Sequence, residues 1–473
     1  MLNIPEYKDA EKVFYFFEEI SKIPHPSEHT EKIADYLVDF AKTRGLWYMR
    51  DESNNVIIRK PATKGYENRP TVIFQGHTDM VADKIIGAEI DMYKEGLKLF
   101  RDGDFIRAEG TTLGGDDGVA IAYSLAILDS HDIEHPEFEA LFTSDEEIGL
   151  IGATALDTSY LHGKTMINID SDDEGIFTVG CAGGMRMDAT LPFERCETQE
   201  NLYRLSVSGL MGGHSGTEID KGRINAIKVL AEVLENAKDM RIAQISGGNA
   251  DNAIPRYADC IFTSESTVFI KDSAIPTIIE RYRDKEPGIE IKLEAFSGSK
   301  ECFSKSDSAK ILKLIERMPT GVYKMSKDIP GLVETSSNLG IIESSGERVT
   351  LSVSLRSAKN EEKEKLRACV NELCKEFGAS VSERGEYPAW EYKKDSHLRD
   401  VMRKVYFEEY RKEPEIITIH AGLECGIFSN KICGLDCVSI GPDNFDIHTP
   451  EERLSISSTA RVWDYLKKVL KEI

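Results

Sequence analysis

Four short apolar runs, each ending in a turn crowded with acid, glycine or histidine, constrain the fold of this chain more than any other feature. Thr71-Val72-Ile73-Phe74 leads into Gly76-His77-Thr78-Asp79, and Phe138-Glu139-Ala140-Leu141-Phe142 into Asp145-Glu146-Glu147-Ile148-Gly149. Met166-Ile167-Asn168-Ile169 leads into Asp170-Ser171, and the stretch from Leu435 to Ile440 into Asp446-Ile447-His448-Thr449. Short β-branched and aromatic runs bounded by such turns are buried strands. Between the first two runs lies an Ala-rich apolar helix, Val119 to Leu128, introduced by Gly114-Gly115-Asp116-Asp117-Gly118. Strands alternating with helices predict an α/β layer fold with a mostly parallel, mixed sheet.

In an open α/β sheet, ligands gather at the carboxyl ends of the strands. His77, Glu147, Asp170 and His448 all follow such strands, while Asp116 opens the apolar helix, where the helix dipole favours a negative charge. Two imidazoles and three carboxylates can hold two divalent metals if one carboxylate bridges, and Asp116 has two oxygens to offer. Asp79, two residues beyond His77, is placed to hold the second ring nitrogen and fix its tautomer. Glu146 and Glu147 are adjacent and cannot share a role, so one binds metal while the other faces the water. A divalent metal lowers the pKa of its water towards about 7, and a nearby carboxylate can then take the proton and pass it to a leaving amine. Any one of these residues alone is more often structural; the five in matching contexts carry the inference of metal-dependent hydrolysis. Asp170 to Gly175 superficially matches a calcium loop, but its twelfth position is Cys181 rather than Glu, which excludes that motif.

A chain of 473 residues exceeds the usual single-domain size. The α/β texture holds to about residue 185, with helices expected over Asp9 to Ile20 and again after Ser27, a possible cap. From Arg186 the texture changes. Leu202 to Val207 and Ile289 to Phe296 alternate, Lys221 to Ala237 is helical, and Val349, Leu351, Val353 and Leu355 alternate with polar residues. A charged amphipathic helix follows over Asn360 to Cys374, and the first texture returns with a helix from His397 to Tyr410. His448 must rejoin His77 if one site is to form. The expected organisation is a discontinuous catalytic domain, residues 1–185 and 395–473, interrupted by an inserted α+β domain, residues 186–394, with one sheet face covered and the other solvated.

The net charge of -23 and pI near 5.0 disfavour nucleic acid and anionic lipid as partners. No run of about 18 apolar residues suggests a membrane span, and the N-terminus lacks the pattern of a secretory signal. Nine cysteines, an odd number without paired CxxC units, are expected as free thiols in a reducing cytoplasm. In the middle region Gly212-Gly213-His214-Ser215-Gly216 exposes a histidine in a flexible turn. Asn252-Ala253-Ile254-Pro255-Arg256 and Arg356 are further polar candidates, the arginine suited to bidentate capture of a substrate carboxylate.

These motifs resemble the aminoacylase/glutamate-carboxypeptidase superfamily of di-zinc hydrolases, over nearly the whole chain. Gly110-Thr111-Thr112-Leu113-Gly114-Gly115-Asp116-Asp117-Gly118, Gly180-Cys181-Ala182-Gly183-Gly184 and His420-Ala421-Gly422-Leu423-Glu424-Cys425-Gly426 make the sequence similar to its aminoacyl-histidine (Xaa-His) dipeptidase branch, cytosolic non-specific dipeptidases included. The resemblance implies a zinc-peptidase-like catalytic domain with a lid inserted in it. It implies that Asp116 bridges two metals, His77 and Asp170 complete one site, and Glu147 and His448 the other. Zinc is the implied metal, with manganese or cobalt as alternatives. Glu146 is then the general base for a metal-bridged water, Asp79 the imidazole clamp, and the Asp116-Asp117 bond cis. His214 resembles the lid histidine that stabilises the tetrahedral oxyanion, often across a dimer. Arg356 and Asn252 match lid positions that contact substrate, and Glu424 one near the substrate's amino end. The expected activity is hydrolysis of unblocked dipeptides, of the Xaa-His type and beyond, by a cytoplasmic homodimer. An N-acyl amino-acid deacylase or a tripeptidase using the same metals is the alternative within hydrolases. A metal-stabilised binding protein without turnover is the alternative outside them, and it would need neither Glu146 nor His214.

Overall fold

The computed structural model describes residue 2 and residues 4–299, 301–327 and 329–473. The chain divides into two compact units. The first takes the residues up to Gly180 together with Tyr392–Thr418 and Leu423–Ile473, and the second takes Cys181–Glu391 with the short return Ile419–Gly422.

The first unit is built on an eight-stranded sheet in the order Trp47–Arg50, Val56–Lys60, Phe138–Thr143, Val72–His77, Thr165–Asn168, Asp436–Ser439, Ile176–Cys181, Glu415–Ile419. Phe138–Thr143, Val72–His77, Thr165–Asn168 and Asp436–Ser439 run parallel. Parallel pairing is thus concentrated at the centre, and Trp47–Arg50 and Val56–Lys60 add an antiparallel hairpin at one flank. Every residue of Val72–His77 and Phe138–Thr143 is buried, as the unbroken apolar runs require of strands covered on both faces. In the helix Gly115–Leu128 every residue but Asp116 is buried, the pattern of a helix enclosed on all sides. It packs on the helix Glu11–Ser21, whose Phe17 and Ile20 leave only 3.2 to 3.3 Å for a Cβ at Gly118. Tyr123 stacks on Trp463 of the closing helix Ile456–Glu472 at 6.0 Å between centroids and donates its hydroxyl to Thr459 O at 2.8 Å.

Ser27 does not cap the second helix. The helix is Glu31–Thr43, because Glu28 takes a left-handed φ of 66° and turns the chain first. Ser27 Oγ instead donates to Asp79 Oδ2 at 2.8 Å.

The second unit is a nine-stranded antiparallel sheet. Its main path runs Glu290–Phe296, Leu202–Ser208, Ala258–Thr263, Arg241–Gly247, Val333–Ser345, Arg348–Ser357, Gly183–Pro192, Ser380–Tyr387, with Gly321–Met325 paired onto Val333–Ser345. A separate core under one face joins Leu230, Phe262, Ile311, Leu351 and Val370. The helix expected over Lys221 to Ala237 contracts to Ala226–Leu234. Gly222 sits at φ 66°, and the Asn225 side chain caps the new start by accepting from Ile227 N and Lys228 N. The expected solvated face of the Arg348–Ser357 strand is also corrected: Ser352, Ser354 and Arg356 are only 8%, 5% and 8% exposed. The strand is interior to the sheet, and the loop around Asp251 covers its neighbours. Asn338 Nδ2 donates to Asp251 O and Ala253 O at 3.3 and 2.8 Å, and Arg186 pairs with Asp251 at 2.9 Å. Among the described residues, no helix is long and apolar enough to cross a membrane.

Candidate metal centre

Parallel register sets His77 opposite Thr143 and Gln75 opposite Asn168, so the turns that follow these strands emerge side by side. Gly76 is required one step earlier: a Cβ there would lie 2.4 Å from both Ala120 Cβ and Asp117 Oδ2. Four of the expected ligands meet around Asp116. Its Oδ1 lies 2.9 Å from His77 Nε2 and its Oδ2 lies 3.2 Å from His448 Nε2, so the two oxygens are split between the two imidazoles. Glu147 Oε1 is 2.8 Å from His448 Nε2, and Asp170 Oδ1 is 3.9 Å from His77 Nε2. Two groups, His77-Asp116-Asp170 and Asp116-Glu147-His448, each bring ligand atoms within 4.8 Å of one another, sharing Asp116. His77, Glu146 and Glu147 form a third such group, so distance alone does not separate Glu146 from the ligands.

The arrangement fits divalent cations. Asp170 Oδ2 is buried without a hydrogen-bond partner, a state that is costly unless something fills it. The N and O donor set suits zinc, manganese or cobalt. His77 Nδ1 lies 2.9 Å from the Asp79 carbonyl; donation there leaves the Nε2 lone pair facing the cluster. The clamp expected of Asp79 is thus made by its backbone oxygen, with its carboxylate further away at 3.5 Å. That carboxylate has another task. It accepts from Glu146 N at 2.9 Å and Glu147 N at 3.2 Å and so fixes the segment carrying both glutamates. Backbone geometry at the site is unusual: Asp145, Asp446 and His448 have φ of 52°, 53° and 61°, and the Asp116-Asp117 bond is cis. Left-handed non-glycine residues cluster where surrounding contacts over-determine the chain.

The electrostatics describe a site short of positive charge. Burial raises Glu146 to about 8, helped by the charges of Glu424, Glu147 and Asp116 and opposed by His77. Burial also drives Asp170 well above the usual carboxylate range, with Asp117, Asp116 and Glu146 adding to it. Hydrogen bonds to Asp116 and Glu147 raise His448 to about 10. Against strong burial, Asp116 and Asp79 hold His77 well above its ordinary value. Cations placed among these acids would replace the protons that the imidazoles otherwise retain.

Below the cluster runs a polar floor that sequence reasoning did not foresee. Asn168 Nδ2 donates to Gln75 Oε1 at 2.6 Å, Gln75 Nε2 to Glu424 Oε2 at 2.5 Å, and Thr143 Oγ1 to Glu424 Oε2 at 2.6 Å. Glu424, expected near a substrate's amino end, is 0% exposed. It belongs to this floor, because Gln75 and Thr143 hold it beneath the strands. Asp117, also unforeseen, is 2% exposed and accepts from His77 N at 3.1 Å. No local signal marks Gln75, Thr143 or Asn168, since they sit inside runs legible only as strands.

The second unit holds His214, Asn252 and Arg356. His214 pairs with Ala253 across a two-residue ribbon, which brings the Gly212–Gly216 turn beside the Asn252–Arg256 segment. Asn252 is exposed there, and its carbonyl accepts from Ser215 N at 2.8 Å. Thr217 N donates to His214 Nδ1 at 3.1 Å, which leaves the ring proton on Nε2. Burial lowers the His214 pKa, and Arg356 lowers it further. Arg356 Nη1 donates to Tyr387 OH at 2.9 Å while its Nε is buried without a partner. His420 completes the group: Nε2 meets Ser336 Oγ at 2.7 Å, Nδ1 has no partner, and burial followed by Arg356 and His214 pushes its pKa down to about 3.

The sequence profile of Peptidase family M20/M25/M40 matches residues 73–472. The cytosol non-specific dipeptidase of Escherichia coli (strain K12) is 35% identical over 470 residues, 97% of this chain and 96% of that protein. The crystal structure of an aminoacylhistidine dipeptidase from Vibrio alginolyticus aligns at TM-score 0.90 and 34% identity, covering 98% of this chain and 96% of its own. That of aminopeptidase PepT from Bacillus cereus aligns at TM-score 0.57 and 17% identity over 98% of each chain, which is likeness of fold alone.

Proposed function

The chain belongs to peptidase family M20/M25/M40, and from that we propose that it is a metal-dependent dipeptidase acting on unblocked dipeptides, those ending in histidine among them. The observation that carries the proposal is the division of Asp116 between His77 and His448, with Glu147 against His448 and a partnerless oxygen on Asp170. The names of the E. coli and Vibrio relatives support the substrate class.

We assign His77 and Asp170 to one cation, Glu147 and His448 to a second, and Asp116 to both, zinc being the first choice and manganese or cobalt the alternatives. When bound, the cations polarise the scissile carbonyl and acidify the attacking water. The remaining steps belong to side chains. Glu146, held by its backbone to Asp79, takes the water proton and returns it to the departing amine. His214, whose proton sits on Nε2, donates to the developing oxyanion. The partnerless Nε of Arg356 takes the substrate carboxylate, with Asn252 as a further contact. Free thiols at all nine cysteines are consistent with a cytoplasmic location, and a homodimer completes the proposal.

The test is Glu146→Gln. Metal content should stay at the wild-type level while kcat/KM on a free dipeptide falls by about 10³-fold, within the range general-base loss produces. Retained turnover removes Glu146 from the base role. Parallel assays on the N-acetyl dipeptide and a tripeptide separate a dipeptidase from a deacylase or tripeptidase.

A further inference from the structure

Of the adjacent pair Glu451 and Glu452, the first is exposed and the second is 2% exposed. The buried carboxylate lies against the turn that delivers Asp116. Oε2 accepts from Leu113 N at 2.7 Å and Gly114 N at 3.0 Å, and Oε1 accepts from Gly115 N at 2.8 Å and Asp116 N at 3.4 Å. Gly114 makes this convergence possible. Its φ is 69°, and a Cβ there would sit 2.9 Å from Met80 Sδ. Glu452 follows His448 by four residues, and the next residue, Arg453, folds back to pair with Asp446. One short segment therefore supplies the ligand His448 and reaches across to the backbone of the ligand Asp116.

A turn that needed only its N–H groups satisfied would be served by a neutral cap such as Asn or Ser. A carboxylate instead offers two equivalent acceptors, so that four successive N–H groups are fixed by one rigid plane.

We propose that Glu452 is a positioning residue for metal binding: it locks the backbone from which Asp116 projects, so that the two Asp116 oxygens stay divided between the His77 and His448 sides. The proposal rests on the two-metal assignment above. Groups that hold a ligand in place, without touching metal, typically change metal affinity by about 10- to 100-fold when lost. Glu452 differs from ordinary turn-capping in a measurable way: its loss should disturb metal affinity beyond any change in fold stability.

The experiment compares wild type, Glu452→Gln and Glu452→Asp after removal of metal by a chelator. Zinc affinity is measured by competition with a chromophoric chelator, alongside apo-protein melting and kcat and KM at saturating zinc. Gln keeps the size but must turn its NH2 towards two backbone N–H groups; Asp keeps the charge but falls one methylene short. The expected result is a loss of about 10- to 100-fold in affinity for at least one zinc equivalent in Glu452→Gln, a smaller loss in Glu452→Asp, and KM near wild type once zinc saturates. Lowered melting with both zinc affinities unchanged overturns the proposal and leaves Glu452 a structural cap. If Glu452→Gln fails to fold, Glu452→Asp decides: wild-type affinity for both equivalents overturns it, a selective loss sustains it. Wild-type protein that binds fewer than two equivalents refutes the two-metal assignment itself, whatever the variants do.

Discussion

Replacing Asp79 by Asn tests whether the carboxylate, rather than the backbone carbonyl alone, organises the centre. Asp79 is 1% exposed and accepts from Glu146 N, Glu147 N and Ser27 Oγ at 2.9, 3.2 and 2.8 Å. In Asn one of the two oxygens becomes a donor. If it replaces Oδ1 it opposes Glu146 N, and if it replaces Oδ2 it opposes Glu147 N and loses the Ser27 proton. Either way at least one buried N–H loses a charged acceptor. Hydrogen bonds to charged groups contribute about 1.5 to 3 kcal/mol and an orphaned buried donor costs about 1 to 3 kcal/mol, so the metal-stripped variant should lose roughly 2 to 4 kcal/mol of unfolding free energy. Because the same bonds place Glu146, kcat should fall about 10²-fold at saturating metal, the scale expected for a displacement of about 1 Å. Urea denaturation of the stripped protein measures the first effect and steady-state hydrolysis of a free dipeptide the second. Ser27→Ala is the control, with a loss of about 0.5 to 1.5 kcal/mol and turnover close to wild type. A wild-type urea midpoint and wild-type turnover in Asp79→Asn would refute the argument, since no rearrangement of the amide satisfies all three donors.

Gly76→Ala should destabilise by about 1 to 3 kcal/mol, the range for overpacking, because its Cβ would meet Ala120 Cβ and Asp117 Oδ2 at 2.4 Å; thermal melting checks this, and Ala120→Gly should recover part of the loss. Metal uptake should release protons. In the metal-free protein His448 is raised to about 10 and Glu146 to about 8, so at neutral pH both carry protons, and ligation requires a neutral imidazole. Apparent affinity should therefore rise with pH between about 7 and 10, and calorimetry in buffers of different ionisation enthalpy should show the release; pH-independent affinity would count against it. The sign for stability is opposite: a raised histidine pKa stabilises the metal-free fold below the unfolded value near 6.5, and that contribution disappears as pH rises through about 10.

The sequence made the strand ends legible because their signal is local. Val72-Ile73-Phe74 and Ala140-Leu141-Phe142 fill strands buried on both faces, and the polar turn after each marks where the sheet opens. The grouping of His77, Asp116, Glu147, Asp170 and His448 followed from that placement together with their chemistry. Less local features were hidden. Glu451 and Glu452 look alike in sequence, and only tertiary packing buries the second against Leu113 to Asp116. Ser27 had the composition of a helix cap, but Glu28 turned the chain and Asp79 took its hydroxyl. Polar alternation at Ser352, Ser354 and Arg356 suggested solvent, whereas the Asp251 loop covers that side. The excursion of Ile419–Gly422 into the second unit, which brings His420 to Ser336, depends on contacts 84 residues apart that no sequence window contains.

The most direct test of the central claim is a titration of chelator-stripped protein with zinc, following hydrolysis of a free dipeptide and bound metal together. The account predicts that activity rises to a plateau at two equivalents, that the N-acetyl dipeptide and a tripeptide are poor substrates at that plateau, and that chelator abolishes turnover. Full occupancy at two equivalents with no hydrolysis across a broad dipeptide panel would contradict it.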